Sequence, residues 1–281
     1  MKDANSRQQS AVEKFRALHQ SGCFVLPNPW DAGTAIYLQH LGFEALATTS
    51  AGVAFSHGRP DTTPALPLDD MLAHCREVVE ATTLPVNADF QAGYADEPEG
   101  VAENVILCIA TGVAGLSIED NTGRSASPLY QKDLAVDRIR AARRAIDASR
   151  IPVVLTGRCE AWLVGQSDPL GVALDRLLAY SEAGADCLYA PGVIKPDEIE
   201  QIVKAVSPKP VNVLMHGPST LTVPHLADLG VRRVSVGSAL ARVAWGAFIR
   251  AARSIKTTGK FDAFADAAPF AEINNVFSQR N

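Results

Sequence analysis

Pro85-Val86-Asn87-Ala88-Asp89-Phe90-Gln91-Ala92-Gly93-Tyr94 is a run of small and apolar residues that ends on an aspartate and passes into a glycine-containing loop. Further along, Gly115-Leu116-Ser117-Ile118-Glu119-Asp120 repeats the pattern with a carboxylate pair. In a parallel barrel the C-terminal tips of the strands surround the mouth, so carboxylates there read as catalytic or metal-binding. Working outward, eight short segments have strand character: 23–27, 45–49, 85–89, 115–119, 152–158, 187–190, 210–214 and 232–237. Segments of helical period separate them, at 31–41, 68–82, 98–111, 133–148, 169–183, 196–206, 219–228 and 238–256. Gly42, Gly112, Gly184 and Gly230 follow helical segments, where glycine supplies the left-handed cap. Eightfold alternation predicts a (β/α)8 TIM-type barrel, with an open doubly wound sheet as the rival.

With no Gly/Ser-rich or Pro-rich linker, the whole chain, 1–281, reads as a single barrel domain. A polar N-terminal helix is expected at about 6–20, and a C-terminal tail at about 259–281 whose Phe264, Phe270, Ile273 and Phe277 pack on a neighbour, in the same subunit or another. The net charge of −5 has no basic cluster, which argues against nucleic acid as a partner. No apolar run approaches the ~20 residues that span a bilayer, and no membrane partner is expected. The five cysteines show no CxxC spacing and read as free thiols of a reducing cytoplasm.

The barrel reading delivers a list of tip residues: Asn28, Thr49-Ser50, Asp89, Glu119-Asp120, Arg158, Pro191, His216 and the 235–237 turn. Carboxylates with water suit Mg²⁺, which keeps several waters and one or two protein ligands. A guanidinium suits a substrate carboxylate or phosphonate. The combination predicts a small anionic substrate chelated to a metal. Asp89 reads as a metal ligand or as a turn cap, and Glu119 as a site residue, because an unpaired charge in an apolar strand is costly. Arg158 reads as a substrate ligand or a strand-to-strand ion pair. His216 touches substrate or only backbone, Asp61 caps its turn or braces the metal shell, and Asp120 caps a loop. No dinucleotide fingerprint, phosphate loop or Ser-His-Asp arrangement follows a strand.

Taken in order, Asn28-Pro29-Trp30-Asp31-Ala32, Thr48 to Ala54 with Gly58-Arg59-Pro60-Asp61, Asp89 to Tyr94, Gly112 to Asp120, Thr156-Gly157-Arg158 and Ala183 to Asp186 resemble the isocitrate lyase / phosphoenolpyruvate mutase superfamily. The resemblance implies a (β/α)8 barrel, a homodimer or homotetramer with a swapped C-terminal helix, and Mg²⁺ or Mn²⁺. It also implies 2-oxo or 2-hydroxy acid substrates that react through an enolate. On that pattern Asp89 binds the metal directly, and Glu119 and Asp61 hold metal-bound waters. Thr49, Ser50 and Ala51 cradle the substrate carboxylate, Arg158 binds its carboxylate and oxo end, and Trp30 either walls the pocket or belongs to the core. Gln91 stands where many relatives carry a second aspartate of the metal site, which lowers the negative charge there. The lyase branch carries a Lys-Lys-Cys-Gly-His loop after the Glu-Asp pair, whereas this chain has Asn121-Thr122-Gly123-Arg124-Ser125-Ala126-Ser127-Pro128. Decarboxylation needs no acid at its leaving group, so oxaloacetate decarboxylase-like C–C cleavage is favoured. Phosphonopyruvate hydrolysis or rearrangement, with Ser125 or Ser127 at the phosphoryl group, is the alternative. Cleavage of methylisocitrate or a substituted malate and a non-catalytic 2-oxo acid binder complete the set.

Overall fold

The computed structural model describes residues 2–62 and 65–278, so the last three residues of the expected tail lie outside it. Eight parallel strands run β1 (Phe24–Leu26), β2 (Leu46–Ala47), β3 (Val86–Asp89), β4 (Gly115–Glu119), β5 (Val154–Arg158), β6 (Cys187–Tyr189), β7 (Val211–Leu214) and β8 (Arg233–Ser235). Hydrogen-bonded neighbours follow chain order from β2 to β8, and β8 pairs with β1. The last gap, between β1 and β2, is bridged by the Ala47 amide donating to the Pro27 carbonyl at 3.0 Å. The protein is a (β/α)8 barrel, and the open sheet is excluded.

Eleven helices are described: α1 (Lys2–Leu18), α2 (Ala32–His40), α3 (Ser50–Ser56), α4 (Leu68–Ala81), α5 (Pro98–Ile109), α6 (Lys132–Ser149), α7 (Pro169–Glu182), α8 (Pro196–Val206), α9 (Val223–Asp228), α10 (Ala239–Thr258) and α11 (Phe270–Ser278). Local chemistry sets their starts. Asp31 caps α2 by accepting from the Thr34 amide at 2.7 Å, and Thr34 returns the bond to the Asp31 amide. Asp168 caps α7 just before Pro169, whose missing N–H costs nothing at that position. The structure starts the N-terminal helix at Lys2 rather than 6, and α9 at Val223 rather than 219. It also adds α3, for which the sequence reading had no helix.

Period two along each strand sorts the side chains. Leu116 and Ile118 point outward from β4 toward the helices and are fully buried, each contributing roughly 1.5–3 kcal/mol. Ser117 and Glu119 of the same strand point inward. Phe15 of α1 closes the bottom of the barrel: a Cβ on Gly115 would come within 2.7 Å of its ring, so the strand needs glycine there. The open end is therefore the C-terminal one.

Candidate active site

Register brings the tip residues together. Glu119 lies beside Arg158 in the β4–β5 pair, and Arg158 beside Tyr189 in the β5–β6 pair. The Arg158 guanidinium is the centre of the cluster. One terminal nitrogen reaches Asp89 Oδ1 at 3.1 Å and Glu119 Oε2 at 3.2 Å. Its Nε donates to Glu160. The flat of the group lies 5.1 Å from the Tyr189 ring centre. The other Asp89 oxygen accepts from the Ser50 amide at 2.9 Å and the Ser50 hydroxyl at 3.0 Å, while Thr48 Oγ1 accepts from the Asp89 amide at 2.9 Å. Asp89 is thus clamped from β2 and β5 at once.

The charges do not balance. Asp61, Asp89, Glu119 and Glu160 face one guanidinium. Burial pushes Glu119 well above the usual carboxylate range against the pull of Arg158, and Glu160 and Asp89 add to the rise. Burial likewise raises Glu160, and burial together with the Asp89 charge raises Asp61. Burial alone would lower Arg158, but Glu119 and Glu160 hold it well above its ordinary value. Such a group of carboxylates attracts a further cation.

Two cavities meet here, sharing Ser50, Asp61, Arg158 and Leu163. The inner one, about 220 Å³, runs down the barrel axis and also touches Thr49, Ala51, Asp89 and His216. The outer one, about 620 Å³, is bounded by Gln91, Glu119, Glu160 and the loop carrying Asn121 and Ser125. Every residue expected to hold the metal or the substrate carboxylate therefore borders one or both, as does Ser125, whereas Ser127 borders neither. Thr49 is partly committed, since its hydroxyl caps α3 by accepting from the Gly52 amide at 3.2 Å. His216 borders the cavity from a loop, and its carbonyl lies 3.5 Å from Arg242 Nη1. Trp30 sits elsewhere, in an apolar hollow with Trp245 and Phe248.

The sequence reading missed Glu160. It follows Arg158 by two residues and lies on the same side of the chain, so period two carried one step past the strand end would have found it. Asp120 is an internal brace: it accepts from the Glu160 amide at 2.8 Å and Tyr180 at 2.7 Å, and pairs with Arg176 at 3.0 Å.

Among the described residues no three Asp, Glu, His or Cys side chains are arranged around a common metal position. A hard divalent cation does not need three, since Mg²⁺ is commonly held by one or two carboxylates and waters. The side-chain oxygen of Gln91 is buried at the site with no hydrogen-bond partner. Gln91 is fixed in a left-handed conformation, φ 45°, that keeps it in place. An orphaned oxygen beside surplus carboxylates is a donor set that fits such an ion.

A (β/α)8 barrel with an acid cluster gathered around Arg158 at its C-terminal mouth has the architecture of an enzyme of that fold, whose active sites sit at this face. The model of the phosphoenolpyruvate phosphomutase family matches residues 15–256, and the chain belongs to that family, within the isocitrate lyase / phosphoenolpyruvate mutase superfamily. It is 33% identical over 265 residues to an uncharacterised Mycobacterium tuberculosis protein, covering 92% of this chain and 94% of that one. It is 33% identical to the 2-methylisocitrate lyase of Escherichia coli, over 68% of this chain and 65% of the lyase. The oxaloacetate decarboxylase of Pseudomonas entomophila is 29% identical, over 80% of this chain and 78% of its own. Among solved structures, a candidate lyase or mutase of Burkholderia cenocepacia superimposes with TM-score 0.94 at 48% identity, covering 98% of both chains. Apart from the uncharacterised protein these are names of lyases and mutases, and the chain is an enzyme of that group.

Proposed function

We propose that the chain is a divalent-metal-dependent carbon–carbon lyase of small 2-oxo acids, with oxaloacetate decarboxylation as its favoured reaction. The observation that carries the proposal is the Asp89–Arg158–Glu119 cluster opening onto a small cavity whose covering loop, 121–130, offers no thiol, amine or imidazole. Carbon dioxide leaves without a proton from the protein, so the missing acid is no obstacle. The relatives named for oxaloacetate and 2-methylisocitrate support the class.

Asp89 would hold the metal directly, Glu119 and Asp61 would hold its waters, and the Gln91 amide oxygen is a further donor. When bound, Mg²⁺ or Mn²⁺ supplies Lewis-acid stabilisation of the charge that develops on the 2-oxo oxygen. Arg158 binds the substrate carboxylate and, being fixed by Glu160 and Tyr189, does so without reorganising. The Ala51 amide and the Thr49 hydroxyl line the same wall and orient the carboxylate, Ser50 holds Asp89 beside them, and His216 closes the wall from the β7 side. Phosphonopyruvate chemistry is the second reading, favoured by Ser125 on the outer cavity. No described helix is long and apolar enough to cross a membrane, and the five free cysteines suit the cytoplasm.

The test is pyruvate release from oxaloacetate, phosphonopyruvate and 2-methylisocitrate, with Mg²⁺ or with EDTA and corrected for metal-only decarboxylation. Turnover of oxaloacetate is expected, falling roughly 100-fold or more in Asp89→Ala. Turnover of phosphonopyruvate alone would select the second reading. Metal-independent turnover would remove the metal from the account.

A further inference from the structure

The inner cavity does not end on apolar side chains. Barrel interiors are usually filled by branched apolar residues. Here the layer below the acid cluster carries Asn87, Ser117, Thr156, Asn212 and Arg233, all buried. Asn87, Ser117, Asn212 and Arg233 line the cavity. Arg233 is 2% exposed, and among the described residues it forms no ion pair. Its guanidinium donates to Asn212 Oδ1 at 2.9 Å and Thr156 Oγ1 at 3.0 Å, with His19 Nε2 3.3 Å from its third nitrogen. These partners are all neutral, and a buried charge is ordinarily paired with an opposite one. Elsewhere on the lining of the same cavity, the Asn87 side-chain oxygen is buried and has no partner. Thr156 lies two residues below Arg158 on β5, so the two guanidinium levels are separated by roughly 7 Å along the strand.

We propose that Arg233 is the floor of the substrate cavity and binds a second anionic group, the carboxylate remote from Arg158, so that the site selects short dicarboxylates over monocarboxylates. The inference rests on the proposed reading of the site as one for small carboxylic acids and names the substrate class within it. The distal carboxylate supplies the negative charge that Arg233 lacks. Asn87 accepts from a hydroxyl or water carried with it. Arg158 holds the 2-oxo end, and Arg233 measures the length and charge of the other.

Two measurements decide the matter. Calorimetry with Mg²⁺ compares succinate with butanoate, stable acids of equal length that differ in the second carboxylate. Succinate is expected to bind about tenfold or more tightly, and Arg233→Gln to erase the difference. A preference that survives Arg233→Gln, or no preference in the unaltered protein, overturns the proposal. Bromide soaked into crystals of the unaltered protein gives a readout that needs no variant and no carboxylate. An anomalous peak on the Arg233 guanidinium is expected, and its absence overturns the floor as an anion site. If neither acid binds while bromide does, the small-carboxylate reading fails and the anion site stands.

Discussion

His19 ties the N-terminal helix to the barrel floor through both ring nitrogens. One lies 2.7 Å from the Phe15 carbonyl, so it carries the proton, and the other accepts from Arg233. Burial, then the Arg233 charge, pushes its pKa down to about 3. Its ordinary value is about 6.5, so between these pH values the unfolded chain binds a proton that the native one refuses. The contribution to stability is whole above that window and drains away as pH falls through it. His74, pushed down to about 4 chiefly by burial, adds the same sign. The melting temperature should therefore fall less steeply from about pH 7 to about pH 4 in His19→Gln, which keeps an acceptor for Arg233. Parallel slopes would refute this. At this scale the sequence announced Asp89, Glu119 and Arg158, because charges in apolar strands need a reason. It hid Glu160 and Arg233: one follows the strand end, where loop carboxylates are common, and the other belongs to an Arg-Arg pair of which only one faces inward.

At the scale of the element, Asn28 does what the missing β1–β2 ladder does not. Its side-chain oxygen accepts from the Val236 and Gly237 amides at 3.0 and 2.8 Å, and its nitrogen donates to the Thr48 carbonyl at 2.8 Å. Three strand ends meet on one buried side chain. Asn28→Ala leaves two part-buried amides and a buried carbonyl without their partner, and urea titration should show a loss of about 2–4 kcal/mol. A loss under half a kilocalorie would mean that water replaces the bonds. All eight strands were legible because each is an apolar run bounded by turn residues. Helix α3 was not, because Gly52 in its middle argues against helix. The structure explains the glycine: a Cβ there would lie 2.6 Å from Thr49 Cγ2 and 3.1 Å from Trp30 Cβ.

At the scale of the whole molecule, the barrel leaves α10 largely bare. Of its side chains only Ala241 is buried, while Val243 is 69% and Phe248 61% exposed. The tail helix α11 lies instead against α2, where Tyr37 donates to Glu272, and Phe270 stays 85% exposed. Apolar faces of this size mark an interaction surface. Light scattering should give the mass of a homodimer or homotetramer, and a monomer at micromolar concentration would contradict it. The β1–β2 seam carries one further consequence. Ser50, which grips Asp89, begins three residues after the strand that the rest of the wall holds least firmly. Heat that loosens the seam slackens that grip while most of the barrel is still intact. Catalysis should accordingly fade on warming before the fold melts, with the temperature optimum set by a latch rather than by the core.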